Sequence, residues 1–136
     1  MATYKKQLKD QNGDNIIPAL GTATVTSTNI DWSTTGDQSS YIDLGAIRIC
    51  FGSKTVSSIP TGAFGEKAVD VTFPAAFAST PSFSATPGDM SGGCGEYAAY
   101  EYLSTTGTKI WVGHSGSTSG TSATVKWIAI GVKPTS

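Results

Sequence analysis

Apolar and polar positions along this chain alternate with a period of two, and helical spacing is absent. The pattern is sharpest in Ala123-Thr124-Val125-Lys126-Trp127-Ile128-Ala129-Ile130 and in Val69-Asp70-Val71-Thr72-Phe73. Successive strand side chains point to opposite sheet faces, so such alternation predicts strands. Runs of this kind fall at 41–52, 67–74, 81–87, 96–104, 108–113 and 122–133. Between them stand turn formers: Pro60, Gly62 and Gly65, then Pro87-Gly88-Asp89 and Gly92-Gly93-Cys94-Gly95, then Ser115 to Thr121. Pro74 lacks an N–H for the ladder and should end the second strand. Short strands punctuated in this way predict an all-β fold, an antiparallel six-stranded β-sandwich.

Two strands read as apolar on both faces. In the last, Val125, Trp127 and Ala129 oppose Ile128, Ile130 and Val132. In the first, Ile42, Leu44 and Ala46 oppose Ile47, Ile49 and Phe51. A sandwich strand ordinarily keeps one wet face. The second face therefore needs cover, from the N-terminal segment or from neighbouring subunits, and a homotrimer is expected. Trp127, between Val125 and Ala129, is expected in the core. Arg48, the sole arginine, falls inside an apolar run and needs a carboxylate partner, for which Asp70 and Glu101 are the candidates.

The chain before Tyr41 is different. Residues 3–18 read as a hairpin or extended arm around Asn12-Gly13, a dipeptide suited to the positive φ of a type I′ turn. Asp10, Asn12 and Asp14 imitate the start of a calcium loop. Asn15 and Gly21 then stand where such a loop requires Gly and Glu, so the turn is the better reading. Residues 19–40, rich in Thr, Ser, Gly and Asp, read as a linker or a loosely draped segment leading into the domain. The expected division is an arm and linker over 1–40, used for attachment or assembly, and a folded domain over 41–136.

Composition narrows the function classes. A chain of 136 residues makes one domain. Charged residues are 14%, against about 25% in ordinary soluble domains, so part of the hydroxyl-rich surface is expected to be covered by other subunits. A net charge of -1 gives no footprint for nucleic acid, and Lys5, Lys6 and Lys9 are best read as a solvated cluster. No apolar run is long enough for a membrane span. The N-terminus lacks the apolar core of a signal peptide, so a protein made and kept in a cytoplasm, or released by lysis, is expected. Cys50 and Cys94 permit one disulfide but are expected as free thiols.

Two phrases carry a family resemblance. Val69 to Pro81 resembles the H-type lectin pattern: an alternating strand ending in Thr-Phe, an aromatic a few residues on, and a proline opening the next strand. Val125-Lys126-Trp127-Ile128-Ala129-Ile130 resembles that family's final Trp-Ile strand. The resemblance covers roughly residues 41–133. It implies a six-stranded antiparallel sandwich assembled as a trimer, with sugars such as N-acetylgalactosamine bound in shallow sites at subunit borders. The same module recurs in receptor-binding and fibre proteins of bacteriophages. Residues 1–18, Met1-Ala2-Thr3-Tyr4-Lys5-Lys6-Gln7-Leu8-Lys9-Asp10-Gln11-Asn12-Gly13-Asp14-Asn15-Ile16-Ile17-Pro18, look like the opening of structural proteins from phages and prophages of Gram-positive bacteria. The resemblance thus implies a virion protein, joined to other virion proteins by its arm and to a bacterial surface saccharide by its domain. The departures bear on the sugar. The family's adjacent Trp-His pair is here Trp111 and His114, parted by Val112 and Gly113. The family's arginine on the preceding strand has no counterpart, and Tyr102 falls near it.

Carbohydrate sites combine ring faces with a few planar polar groups. The 95–102 segment, Trp111 and His114 supply both. Alternation puts Glu96, Ala98, Tyr100 and Tyr102 on one strand face and Tyr97, Ala99, Glu101 and Leu103 on the other. One face must be core, and any single tyrosine there is more often packed than ligand-binding. The expected site lies at one end of the sandwich. Trp111 would be its stacking face, His114, Asp89 and one of Glu96 or Glu101 its hydrogen-bonding groups, and Tyr100 or Tyr102 its wall. No metal, cofactor or catalytic set is expected. A lone histidine makes no metal site, Ser115 lies in no nucleophile elbow, and Glu96 and Glu101 should face opposite sides of their strand, unlike a glycosidase pair. The leading expectation is a non-enzymatic phage adhesin. The alternatives are a purely structural virion component, such as a head fibre or decoration protein, and a free-standing bacterial lectin.

Overall fold

A computed structural model describes residues 37–88, 96–116 and 122–135. Within them run seven strands: β1 (Gln38–Leu44), β2 (Ile47–Ser57), β3 (Glu66–Thr72), β4 (Ser82–Gly88), β5 (Glu96–Glu101), β6 (Gly107–His114) and β7 (Ser122–Val132). One sheet has the order β1-β2-β7-β4 and the other β3-β6-β5, and every pairing is antiparallel. The two sheets enclose one core, so the all-β reading holds, with seven described strands rather than six.

The extra strand comes from the 41–52 run. It is not one strand but a hairpin folded at Gly45-Ala46, where Gly45 takes a φ of 59° that a side chain would resist. The fold changes the meaning of the apolar pattern. Register pairs Ile42 with Ile49 and Leu44 with Ile47, so these residues share one face instead of opposing each other. The same register sets Arg48 opposite Asp43, which binds it with two hydrogen bonds of 2.8 and 2.9 Å. Neither Asp70 nor Glu101 is its partner. A cross-strand neighbour two residues from the turn was closer than any carboxylate on the other sheet. Arg48 also donates to the Ala76 carbonyl and lies 5.0 Å from the Tyr41 ring centroid.

The core draws Cys50, Val56, Val125, Trp127 and Ala129 from the larger sheet and Val71, Ile110 and Val112 from the smaller. Trp127 is only 5% exposed, packed with Phe73 and Phe83 at 5.8 and 6.3 Å between ring centroids. Its indole crosses Gly52, where an added Cβ would stand 2.8 Å from Cζ2. Cys50 is a buried free thiol, pushed up to about 11 by burial, and its Sγ donates to the Ala75 carbonyl at 3.6 Å. The expected arm and most of the linker lie outside the described residues, as do Cys94 and Asp89. β1 begins at Gln38, just ahead of the expected domain start at Tyr41.

The outer face of the larger sheet is apolar. Leu44, Ile47, Ile128, Ile130 and Val132 are each between 39% and 47% exposed. Register makes them one patch: Ile47 pairs with Val132, Ile49 with Ile130, and Phe51 with Ile128.

Candidate functional site

The smaller sheet has a different outer face. Its inward positions, Val69, Val71, Ile110, Val112 and Ala98, meet the core. The alternate positions therefore face away from it. On β6 these are Lys109, Trp111 and Gly113. Register places Ala68 and Ala99 on either side of Trp111, Asp70 and Glu101 on either side of Lys109, and Glu66 and Tyr97 on either side of Gly113.

Small residues decide how the rings lie. An added Cβ at Gly113 would meet the Tyr97 ring at 2.3–2.8 Å, so Tyr97 crosses β6 at that glycine. It reaches the far strand, where its hydroxyl donates to Glu66 Oε2 at 3.2 Å. Burial first, and then this carboxylate, raise the Tyr97 phenol above its ordinary value and keep it a neutral donor. Trp111, flanked by alanines, is half-buried, and its Nε1–H donates to Glu101 Oε1 at 2.7 Å. At the Glu101 end Tyr102 is 77% exposed, with Lys109 Nζ 6.0 Å from its ring centroid. Three rings, two bonded carboxylates, Lys109 and Asp70 thus share one side of the molecule. Such a surface can pack against the C–H faces of a sugar and hydrogen-bond its hydroxyls.

The expected site residues divide. Trp111, Glu101 and Tyr102 come together on this face; residues 89–95 and 117–121 of the expected loop cluster, Asp89 among them, lie outside the described residues. Tyr100 lies on the other side of β5 and makes an edge contact with Phe83 at 5.2 Å, closing the seam between the sheets. Glu96 stands opposite His114 on that same inward side. His114 is fully buried, with Nδ1 3.1 Å from the Gly116 carbonyl and Nε2 3.0 Å from the Pro60 carbonyl. Its backbone N–H donates to Gly65. This histidine holds the 58–65 loop and presents no face to a ligand, because its strand turns it inward with Ile110 and Val112. The sequence reading passed over Tyr97, Glu66 and Lys109. Alternation already placed Tyr97 with Glu101, but only the β5–β6 register shows that it has a glycine to cross.

Among the described residues no three His, Cys, Asp or Glu side chains group to hold a metal, and no helix is long and apolar enough to cross a membrane. A further pocket of about 200 Å³ opens between the sheets, lined by Asp37, Ser53, Lys54, Thr72 and the edge of Trp127. Burial opposes the charge on Asp37, but bonds from Lys54 and the Thr55 N–H outweigh it and lower its pKa.

No protein-family model matches the sequence, and no curated protein matches it. Solved structures do share its fold. An N-truncated R1-type pyocin tail fibre superposes with a TM-score of 0.55 at 17% identity, over 71% of this chain and 86% of that one. The P. aeruginosa R1 pyocin fibre comprising C-terminal residues 323–701 gives the same TM-score and identity, and the chain spans 28% of its length. The tailspike protein gp49 from Pseudomonas phage LKA1 gives a TM-score of 0.51 at 18% identity, over 65% of this chain and 16% of the tailspike. The shared feature is an all-β fold found within tail fibres and a tailspike.

Proposed function

We propose that this chain is a receptor-binding module of a phage-type fibre, which recognises a bacterial surface saccharide as a homotrimer. The observation that carries the reading is the Tyr97–Trp111–Tyr102 face, with Glu66 and Glu101 fixed by the first two rings. Two half-buried rings and one exposed ring, with bonded carboxylates, on an outer sheet face suit a ligand with C–H faces and many hydroxyls. The fold's occurrence in tail fibres and a tailspike supports the fibre context.

In this reading the two outer sheet faces divide the work. The apolar patch around Ile47, Ile128 and Ile130 packs against other copies, while the aromatic face on the opposite side stays open. A single shallow site is weak, and several sites on one particle convert weak binding into firm adsorption. In this reading the module binds without cleaving: Glu101 and Glu66 are committed to Trp111 and Tyr97 rather than poised as an acid–base pair. The chain before β1 joins it to the rest of the virion.

The test is binding of the full chain to a panel of purified bacterial cell walls and surface polysaccharides, with Trp111→Ala beside it. Loss of binding by the variant, at unchanged oligomeric state and without release of reducing ends by either protein, supports the reading. A wild-type protein that binds nothing in the panel yet decorates virions overturns it in favour of a structural component, a role for which the apolar patch alone suffices.

A further inference from the structure

The 58–65 loop holds its backbone in conformations that side chains resist. Ser58 and Phe64 have φ of 58° and 62°, and Gly62 has 113°. A non-glycine residue in this region is uncommon, and for a bulky side chain it signals strain that the surroundings must impose. The surroundings do impose it here. Ile59 is buried, His114 Nε2 bonds the Pro60 carbonyl, the His114 N–H bonds Gly65, and Lys67 Nζ donates to the Ser57 carbonyl. Gly65 has no room for a side chain, since an added Cβ would collide with the Pro60 carbonyl and stand 3.0 Å from His114 Nε2.

This anchored loop projects Phe64, which is 69% exposed. It makes no ring contact or hydrogen bond among the described residues. Burial therefore does not repay its backbone strain. Phe64 also has a definite place. Glu66, two residues on, is the carboxylate that receives the Tyr97 hydroxyl at one end of the aromatic face. Two residues of chain reach at most about 7 Å, so Phe64 stands beside that end. Tyr102 stands at the other, next to Lys109. Gly113 to Lys109 is four residues of strand, about 13 Å at the strand rise. Phe64 extends the row of rings by up to about 7 Å, to at most roughly 20 Å, against the width of a single sugar ring.

We propose that Phe64 is the outermost contact of the aromatic face, and that its ligand is an extended oligosaccharide of several units rather than a single terminal sugar. The proposal rests on the saccharide reading above and adds the length of the ligand and the residue that measures it. The buried histidine then has a role: it fixes the loop so that Phe64 meets the chain without being ordered on binding, which saves the entropy of immobilising it.

Phe64→Gly and Phe64→Asn test this, because both residues accept positive φ and leave the loop conformation undisturbed. The full chain and both variants are titrated with chito-, manno- and gluco-oligosaccharides and with galactose-containing glycans, from disaccharide to octasaccharide. For wild type, affinity should rise with length. For the variants, affinity for long chains should fall about fivefold to tenfold, the scale of one aromatic contact. Disaccharide affinity and Tm should hold, Tm with room to rise. An unchanged length dependence in both folded variants overturns the proposal and leaves the saccharide reading intact. Wild-type affinity that does not grow with length overturns it equally. Binding of no glycan by wild type overturns the saccharide reading and this proposal together.

Discussion

The indole N–H of Trp111 donates to Glu101 Oε1 at 2.7 Å across the β5–β6 pair. The bond fixes a half-buried ring on the outer face of a sheet whose inner face is core. It also sets a carboxylate beside that ring, the pairing a sugar site uses. Trp111→Ala should remove saccharide binding at a smaller stability cost than a core tryptophan, because one side of the ring is already wet. Glu101→Gln keeps an oxygen acceptor for the indole and should weaken binding less than Glu101→Ala. Binding isotherms alongside denaturant melts separate the two effects.

Trp127 gives the contrast. It is enclosed by Phe73, Phe83 and the Gly52 backbone. Trp127→Ala should destabilise the domain by about 3–5 kcal/mol, as large aromatic truncations in cores do. Denaturant unfolding monitored by circular dichroism checks this.

The apolar patch should decide oligomeric state. Ile130→Lys places a charge at its centre, opposite Ile49, without touching the core side of β7. The variant should run as a monomer in light scattering at concentrations where wild type is a trimer. A wild-type monomer at micromolar concentration would remove the trimer from the proposal.

Asp43 links stability to pH. The hydrogen bonds from Arg48 hold its carboxyl below the ordinary value of 3.8, against burial, with Lys133 adding to the effect. A carboxylate depressed in the folded state contributes stability above its unfolded pKa, and that stability is lost as pH falls through the folded value. The loss should begin near pH 4 and deepen below it. Asp43→Asn should flatten this limb of the profile. It should also destabilise the protein at neutral pH by up to about 3 kcal/mol, the lower end for a broken buried pair, since Arg48 keeps the Ala76 carbonyl and the Tyr41 ring.

His114 should behave as a structural residue. His114→Ala removes the ring whose nitrogens stand 3.1 and 3.0 Å from the Gly116 and Pro60 carbonyls, and should lower Tm while speeding amide hydrogen exchange in the 58–65 loop. Binding of a disaccharide by the protein that remains folded should be retained.

The period-two alternation by itself determined that the chain folds as strands and, in the last of them, which residues face inward. Val125, Trp127 and Ala129 read as core before any pairing was known, and Ile128 and Ile130 as an apolar second face. These are local properties, because a strand fixes the direction of each side chain by parity alone. Pairing decided the rest. The 41–52 run became two strands because Gly45 turned the chain, which gathered Ile42, Leu44, Ile47 and Ile49 on one face and gave Arg48 to Asp43. The β5–β6 register carried Tyr97 across Gly113 to Glu66. The parity of β6 turned His114 inward to a loop 54 residues earlier in the chain. Aromatic and acidic residues were legible in the sequence as candidates. Which of them shared a surface depended on cross-strand distances, which no single strand encodes.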